Sequence, residues 1–117
     1  MRTAEVVIIG GGVIGASVAY HLAARGCRDV LVIERGGQPG GGSTGRATGG
    51  FRAQFATKVN VRLSLLSREK LLGFREETGV DPGFRQCGYL FVAGGEAELA
   101  ALVAAQSVQY ECGLKEA

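Results

Sequence analysis

Cysteine is scarce in this chain, and what there is does not suggest pairing. Cys27, Cys87 and Cys112 are odd in number, widely spaced and without a CxxC pair. That pattern argues against a disulfide framework and a zinc site alike, and it fits a reducing cytosol best. An excess of one charge is also missing, since 13 Lys plus Arg stand against 11 Asp plus Glu, for a formal net charge of +2. With no basic run or stripe there is no electrostatic reason to expect nucleic acid or an anionic membrane as partner. No run approaches the ~18 consecutive apolar residues of a membrane helix. The one stretch that could pass for a signal peptide, Val6 to Ala24 after Arg2, carries Glu5 in the would-be basic region and glycines at 10, 11, 12 and 15. It reads as folded protein.

What is there describes a soluble globular chain: 46% hydrophobic and 21% charged residues over 117 positions, the size of one small domain and too short for a complete large enzyme. Glycine is the outlier, with 20 residues, 13 of them in the first 50. Ala4 to Ile9 is a β-branched run without polar alternation, the pattern of a strand covered on both faces in a parallel sheet. Gly10-Gly11-Gly12 stops it. From Val13 to Arg25 the spacing of Ile14, Val18 and Leu22 is helical, and Gly26 fits the position just after a helix end. Val30 to Ile33 is a second apolar strand, so the unit is βαβ with a right-handed crossover expected. Gly36 to Gly50, with eight glycines, reads as loop. Thr57 to Glu77 predicts an amphipathic helix, Gly88 to Ala93 a strand, and Glu96 to Glu111 an alanine-rich helix stopped by Gly113. A doubly wound domain needs more parallel strands than these. The economical expectation is the N-terminal part of a longer protein.

The chemistry concentrates in the glycines. Gly10-x-Gly12-x-x-Gly15 follows a predicted strand and opens a predicted helix, and Glu34 stands nineteen residues after Gly15 at the end of the second strand. Gly10 would make the tight turn, Gly12 would let a pyrophosphate touch the backbone, and Gly15 would let helix and strand pack closely. The helix N-terminus offers that pyrophosphate unpaired N–H groups. Glu34 would accept hydrogen bonds from ribose hydroxyls, and its charge disfavours a 2′-phosphate. The alternative is a tight turn that binds nothing. A second Gly-rich loop, Gly41 to Arg52, favours flavin over nicotinamide, because a tricyclic ring system requires a second backbone surface and glycines permit it. Ser43 or Thr44 can cap a short helical turn and bond phosphate. A flexible linker is the alternative there.

Taken together, Val6 to Gly15, then Val32-Ile33-Glu34-Arg35, then Gly42 to Arg46 and Gly49 to Phe55, resemble the N-terminus of the D-amino-acid oxidase superfamily, nearest its sarcosine and glycine oxidase branch. The likeness continues through Gly88 to Phe91 and the helix that follows. It implies an α/β fold: a Rossmann-like FAD-binding part over residues 1–80 and the start of a substrate domain over 81–117. It also implies an enzyme that oxidises the carbon–nitrogen bond of a small amino acid or N-methyl amino acid. By that resemblance Gly10, Gly12, Val13, Ile14 and Gly15 would hold pyrophosphate, and Glu34 and Arg35 the adenosine. Ser43 and Thr44 would hold phosphate, and Arg46, Ala47, Thr48, Gly49 and Gly50 the flavin side. Arg52 would either grip a substrate carboxylate bidentately or serve as a surface or phosphate-screening arginine. No metal is implied. Relatives with histidine-linked flavin have a His in the second loop, whereas the single His here is His21 in the first predicted helix. A missing C-terminal part or another subunit is expected to complete the site. An NAD-dependent dehydrogenase fragment and a non-catalytic nucleotide-binding module are the rival readings.

Overall fold

The computed structural model describes residues 3–115. The order is β1 (Val6–Ile9), α1 (Val13–Ala24), β2 (Val30–Ile33), α2 (Ser43–Arg46), α3 (Lys58–Thr78) and α4 (Glu96–Glu111). These fall into two compact units, the first ending at Gly50 and the second beginning at Phe51.

In the first unit β1 and β2 pair in parallel, with Val6 opposite Val30 and Ile9 opposite Ile33. The pairing continues one step beyond the strands, where Gly10 donates its N–H to Ile33 O at 2.7 Å. A parallel pair requires a crossover, and α1 provides it. The crossover ends in a Schellman motif: Gly26 N donates to Ala23 O, Cys27 N donates to Leu22 O, and Gly26 takes φ +91°, where a Cβ is disfavoured. Among the described helices it is α1 that packs on these strands, whose sequence reads as covered on both faces, and Ile9 stays 89% exposed with Val7, Val32 and Ile33 exposed beside it.

The second unit is built on α3 and α4. Glu98 at the start of α4 accepts the Gly94 N–H at 2.7 Å, and Glu96 and Glu98 both place negative charge at the positive end of the helix. Lys58 on α3 pairs with Glu111 on α4 at 2.7 Å, an exposed contact of small energetic weight. After α4 a second Schellman motif, with Gly113 at φ +92° and Leu114 N donating to Gln109 O at 3.0 Å, turns Leu114 inward. Leu114, Ala53 and fully buried Val61 form the core, with Phe55, Leu65 and Cys112 packed on it. The glycine that stops α4 thus delivers a core side chain.

One expected element differs. Residues 88–93 carry no strand assignment among the described residues. Tyr89 and Phe91 do stack on each other, as alternate residues of an extended chain can (centroids 6.5 Å, interplanar angle 24°). An extended segment becomes a strand only when a neighbour accepts its ladder, and the described residues offer it none. None of the described helices is long and apolar enough to cross a membrane.

Candidate functional site

The two Gly-rich loops meet at the C-terminal ends of β1 and β2, where α1 begins. Each tight contact there depends on a missing Cβ. At Gly15 a Cβ would run into the Gly10 carbonyl oxygen and lie 3.4 Å from Ile8 Cγ2, so glycine is what lets α1 sit against the strand and turn. Gly10 takes φ +109°, a backbone open to glycine and strained for other residues. At Gly12 a Cβ would lie 2.9 Å from Thr44 Oγ1. Besides any room it leaves for phosphate, Gly12 therefore makes room for the second loop.

The loops are bonded as well as packed. Gly40 N donates to Gly11 O at 3.0 Å, and Val13 N donates to Thr44 Oγ1 at 3.0 Å. Gly45 N donates to Gly40 O at 2.8 Å, tightening the turn that carries Thr44. Thr44 lies inside the short helix α2, which follows Gly42 and has no side-chain cap. The Thr44 hydroxyl reaches across to α1 rather than capping its own turn. The ladder of α1 opens with Ala16 N donating to Gly12 O, so the amides of residues 12–15 precede it and need outside partners.

Glu34 ties the end of β2 into the same place. Its Oε2 accepts the Gly11 N–H and its Oε1 the Gly36 N–H, both at 2.7 Å. The Gly36 N–H, then the Gly11 N–H, hold this carboxyl below the ordinary carboxylate range. Each carboxylate oxygen still has a lone pair to offer. Beside it opens a groove of about 360 Å³ lined by Glu34, Arg35, Gly36, Gly37, Gln38, Gly41 and Gly42.

The structure thus brings together Gly10, Gly12, Val13, Gly15, Glu34 and Thr44, with Arg35 on the groove wall. Ile14 is on α1 but 76% exposed, and Ser43 and Arg46 are exposed on α2. Ala47, Thr48, Gly49 and Gly50 follow as exposed chain. Arg52 lies in the second unit, with its guanidinium over the rings of Phe55 and Phe91. The sequence reading missed Gly11, which receives Glu34 on one side and Gly40 on the other, and it missed Gly36, Gln38 and Gly40. The signal for Gly11 was present: the fingerprint needs glycine at 10 and 12, and a third glycine between them calls for a reason of its own.

Comparison with known proteins finds relatives of nearly the whole described segment. A family profile described as DAO, FAD dependent oxidoreductase, matches residues 5–116. The chain is 39% identical over 120 residues to FAD-dependent oxidoreductase domain-containing protein 1 of Xenopus laevis, covering 94% of this chain and 24% of that protein. It is 42% identical over 91 residues to the mitochondrial dimethylglycine dehydrogenase of Rattus norvegicus, covering 77% of this chain and 10% of that protein. Among solved structures, the L-proline dehydrogenase from P. horikoshii matches with a TM-score of 0.85 and 38% identity, over 96% of this chain and 29% of the other. The chain thus spans from 10% to 24% of the length of these curated relatives.

Proposed function

Because the chain belongs to the family of FAD dependent oxidoreductases, we propose that it supplies the adenosine and pyrophosphate part of an FAD site. The reaction served is the oxidation of the carbon–nitrogen bond of a small amino acid or N-methyl amino acid. The observation that carries this reading is the joined cradle, in which Gly11, Val13, Glu34, Gly36 and Thr44 are hydrogen-bonded into one surface at the start of α1.

The donor set suits a dinucleotide. Gly10, Gly12, Val13, Ile14 and Gly15 present backbone to the pyrophosphate at the positive end of α1. Thr44, whose oxygen already accepts from Val13, has its hydroxyl proton to give to a phosphate oxygen, and Ser43 stands next to it. The spare lone pairs of Glu34 accept ribose hydroxyls, and Arg35 lines the groove on the adenosine side. Arg46, Ala47, Thr48, Gly49 and Gly50 form the flavin side, and Arg52 clamps the substrate carboxylate. When bound, FAD supplies the electron-pair acceptor. The chain's own part is to bind, orient and hold charge.

The functional boundary in this reading falls after residue 80, with residues 81–117 beginning the substrate domain. A C-terminal part or another subunit completes the site. Apolar side chains left exposed within the first unit, such as Ile9 on β1, support a complement. The free cysteines fit a reducing compartment such as the cytosol.

Visible absorbance of the purified chain, before and after dialysis with added FAD or NAD, tests the reading. Bound yellow flavin is expected. A colourless chain that retains NAD would replace the reading with a dehydrogenase fragment, and a chain that retains neither would make it a non-catalytic module.

A further inference from the structure

The aromatic residues of the second unit are not scattered. Phe55 packs on the core of Ala53, Val61 and Leu114, and Gln109, itself buried, donates Nε2 to Phe55 O at 3.2 Å. The backbone and ring of Phe55 are therefore both tied to the core. Phe51 meets Phe84 edge to face at 5.6 Å, which joins the 51–55 segment to the chain leading toward Phe91. Over this platform lies Arg52, with its guanidinium carbon 4.8 Å from the Phe55 ring centroid and 5.8 Å from that of Phe91. Phe91 in turn stacks on Tyr89. Among the described residues no carboxylate pairs with Arg52.

We propose that Phe55 and Phe91 are positioning residues that hold the Arg52 guanidinium as a pre-formed docking point for a small carboxylate, an inference that rests on the carboxylate role given to Arg52 above. An exposed arginine samples many rotamers, and a ligand that captures it must freeze them. Ring faces that already hold the guanidinium lower that entropic cost. They engage its π surface and leave the N–H fork, which lies in the guanidinium plane, for a bidentate carboxylate. Among the described residues, where no carboxylate pairs with Arg52, the two ring faces are what hold its guanidinium.

The test follows the Arg52 Nε–Hε resonance of the full chain during titration with sodium acetate and with sarcosine at constant ionic strength. A saturable shift is expected with both and none with sodium chloride. Phe91→Leu, at a half-exposed ring, is expected to weaken the apparent Kd about two- to fivefold, and Phe91→Tyr to keep it within the wild-type range. Phe55→Leu should do the same, with the Val61 and Gln109 amide signals reporting whether the core is intact. If Phe91→Leu leaves Kd unchanged while Arg52→Gln abolishes the shift, the rings do not position the guanidinium and the inference is overturned, although the clamp survives. If Arg52→Gln binds like the wild type, or the wild type shows no saturable shift, the clamp itself fails and takes the inference with it.

Discussion

Gly15 on α1 and Gly73 on α3 both lie inside helices of this chain, and the structure assigns opposite signs to replacing them with alanine. In an open helix interior the change gains about 0.8–1 kcal/mol, because alanine loses less backbone freedom on folding. Gly73 on α3 is such a position, with nothing within 4 Å of an added Cβ. Gly15 on α1 is not, because its Cβ would drive into the Gly10 carbonyl oxygen with Gly10 C at 3.1 Å. Neither side can yield easily: Gly10 is held at φ +109° and bonded to Ile33 O, so moving the turn breaks the extension of the sheet. Overpacking of this kind costs about 1–3 kcal/mol. Gly15→Ala is therefore expected to lower the midpoint of thermal unfolding by at least about 4 °C, while Gly73→Ala raises it by up to roughly 8 °C. Far-UV circular dichroism reads both, and amide signals from residues 3–50 and 51–115 show which unit has changed. A Gly15→Ala chain as stable as the wild type would refute the close approach of α1 to the turn.

Three further outcomes follow from the same contacts. Thr44→Ala loses one neutral hydrogen bond, about 0.5–1.5 kcal/mol; Gly12→Ala loses the same bond by displacing Thr44, so the double variant should be no less stable than Thr44→Ala, and additive losses in urea would contradict the contact. The Glu34 carboxyl is held below its ordinary value of 4.5, so its stabilising effect should be full above pH 4.5 and vanish as pH falls through the lower folded-state value. The Gly11 and Gly36 amide shifts should follow that titration and go flat in Glu34→Gln. Leu114→Ala, at a buried position in a core small enough to collapse, should cost about 2 kcal/mol, the low end for such truncations; a change under half that would mean the turn after α4 contributes little.

Helices were legible where punctuation was local. The expected span of α4, Glu96 to Glu111, matches the structure because glycines flank it, and α1 ends one residue before its expected limit at Arg25. Gly10, Gly12 and Gly15 could be read as a turn because their spacing is a backbone requirement within six residues. The bonds that join the cradle were not legible. Glu34 to Gly11 spans 23 residues and Thr44 to Val13 spans 31, and no local propensity encodes such a pairing. Residues 88–93 have the composition of a strand, but a strand is defined by a partner, and partnership is not a property of six residues. Leu114 was overlooked because helix periodicity stops at Gly113, whereas the Schellman geometry that makes the stop also decides where the following side chain points.

The joined loops have a consequence for the order of folding. Every hydrogen bond of the cradle closes within the first 50 residues, and the sheet beneath it pairs positions 24 apart. Loops this short close at small entropic cost, and chains fold from the N-terminus as they are synthesised. The joined loops are therefore the first part of this chain able to assemble on the ribosome, before Arg52 and the helices that follow have been translated. Under the FAD reading proposed above, cofactor captured at that stage would act as a template for the segments still to come.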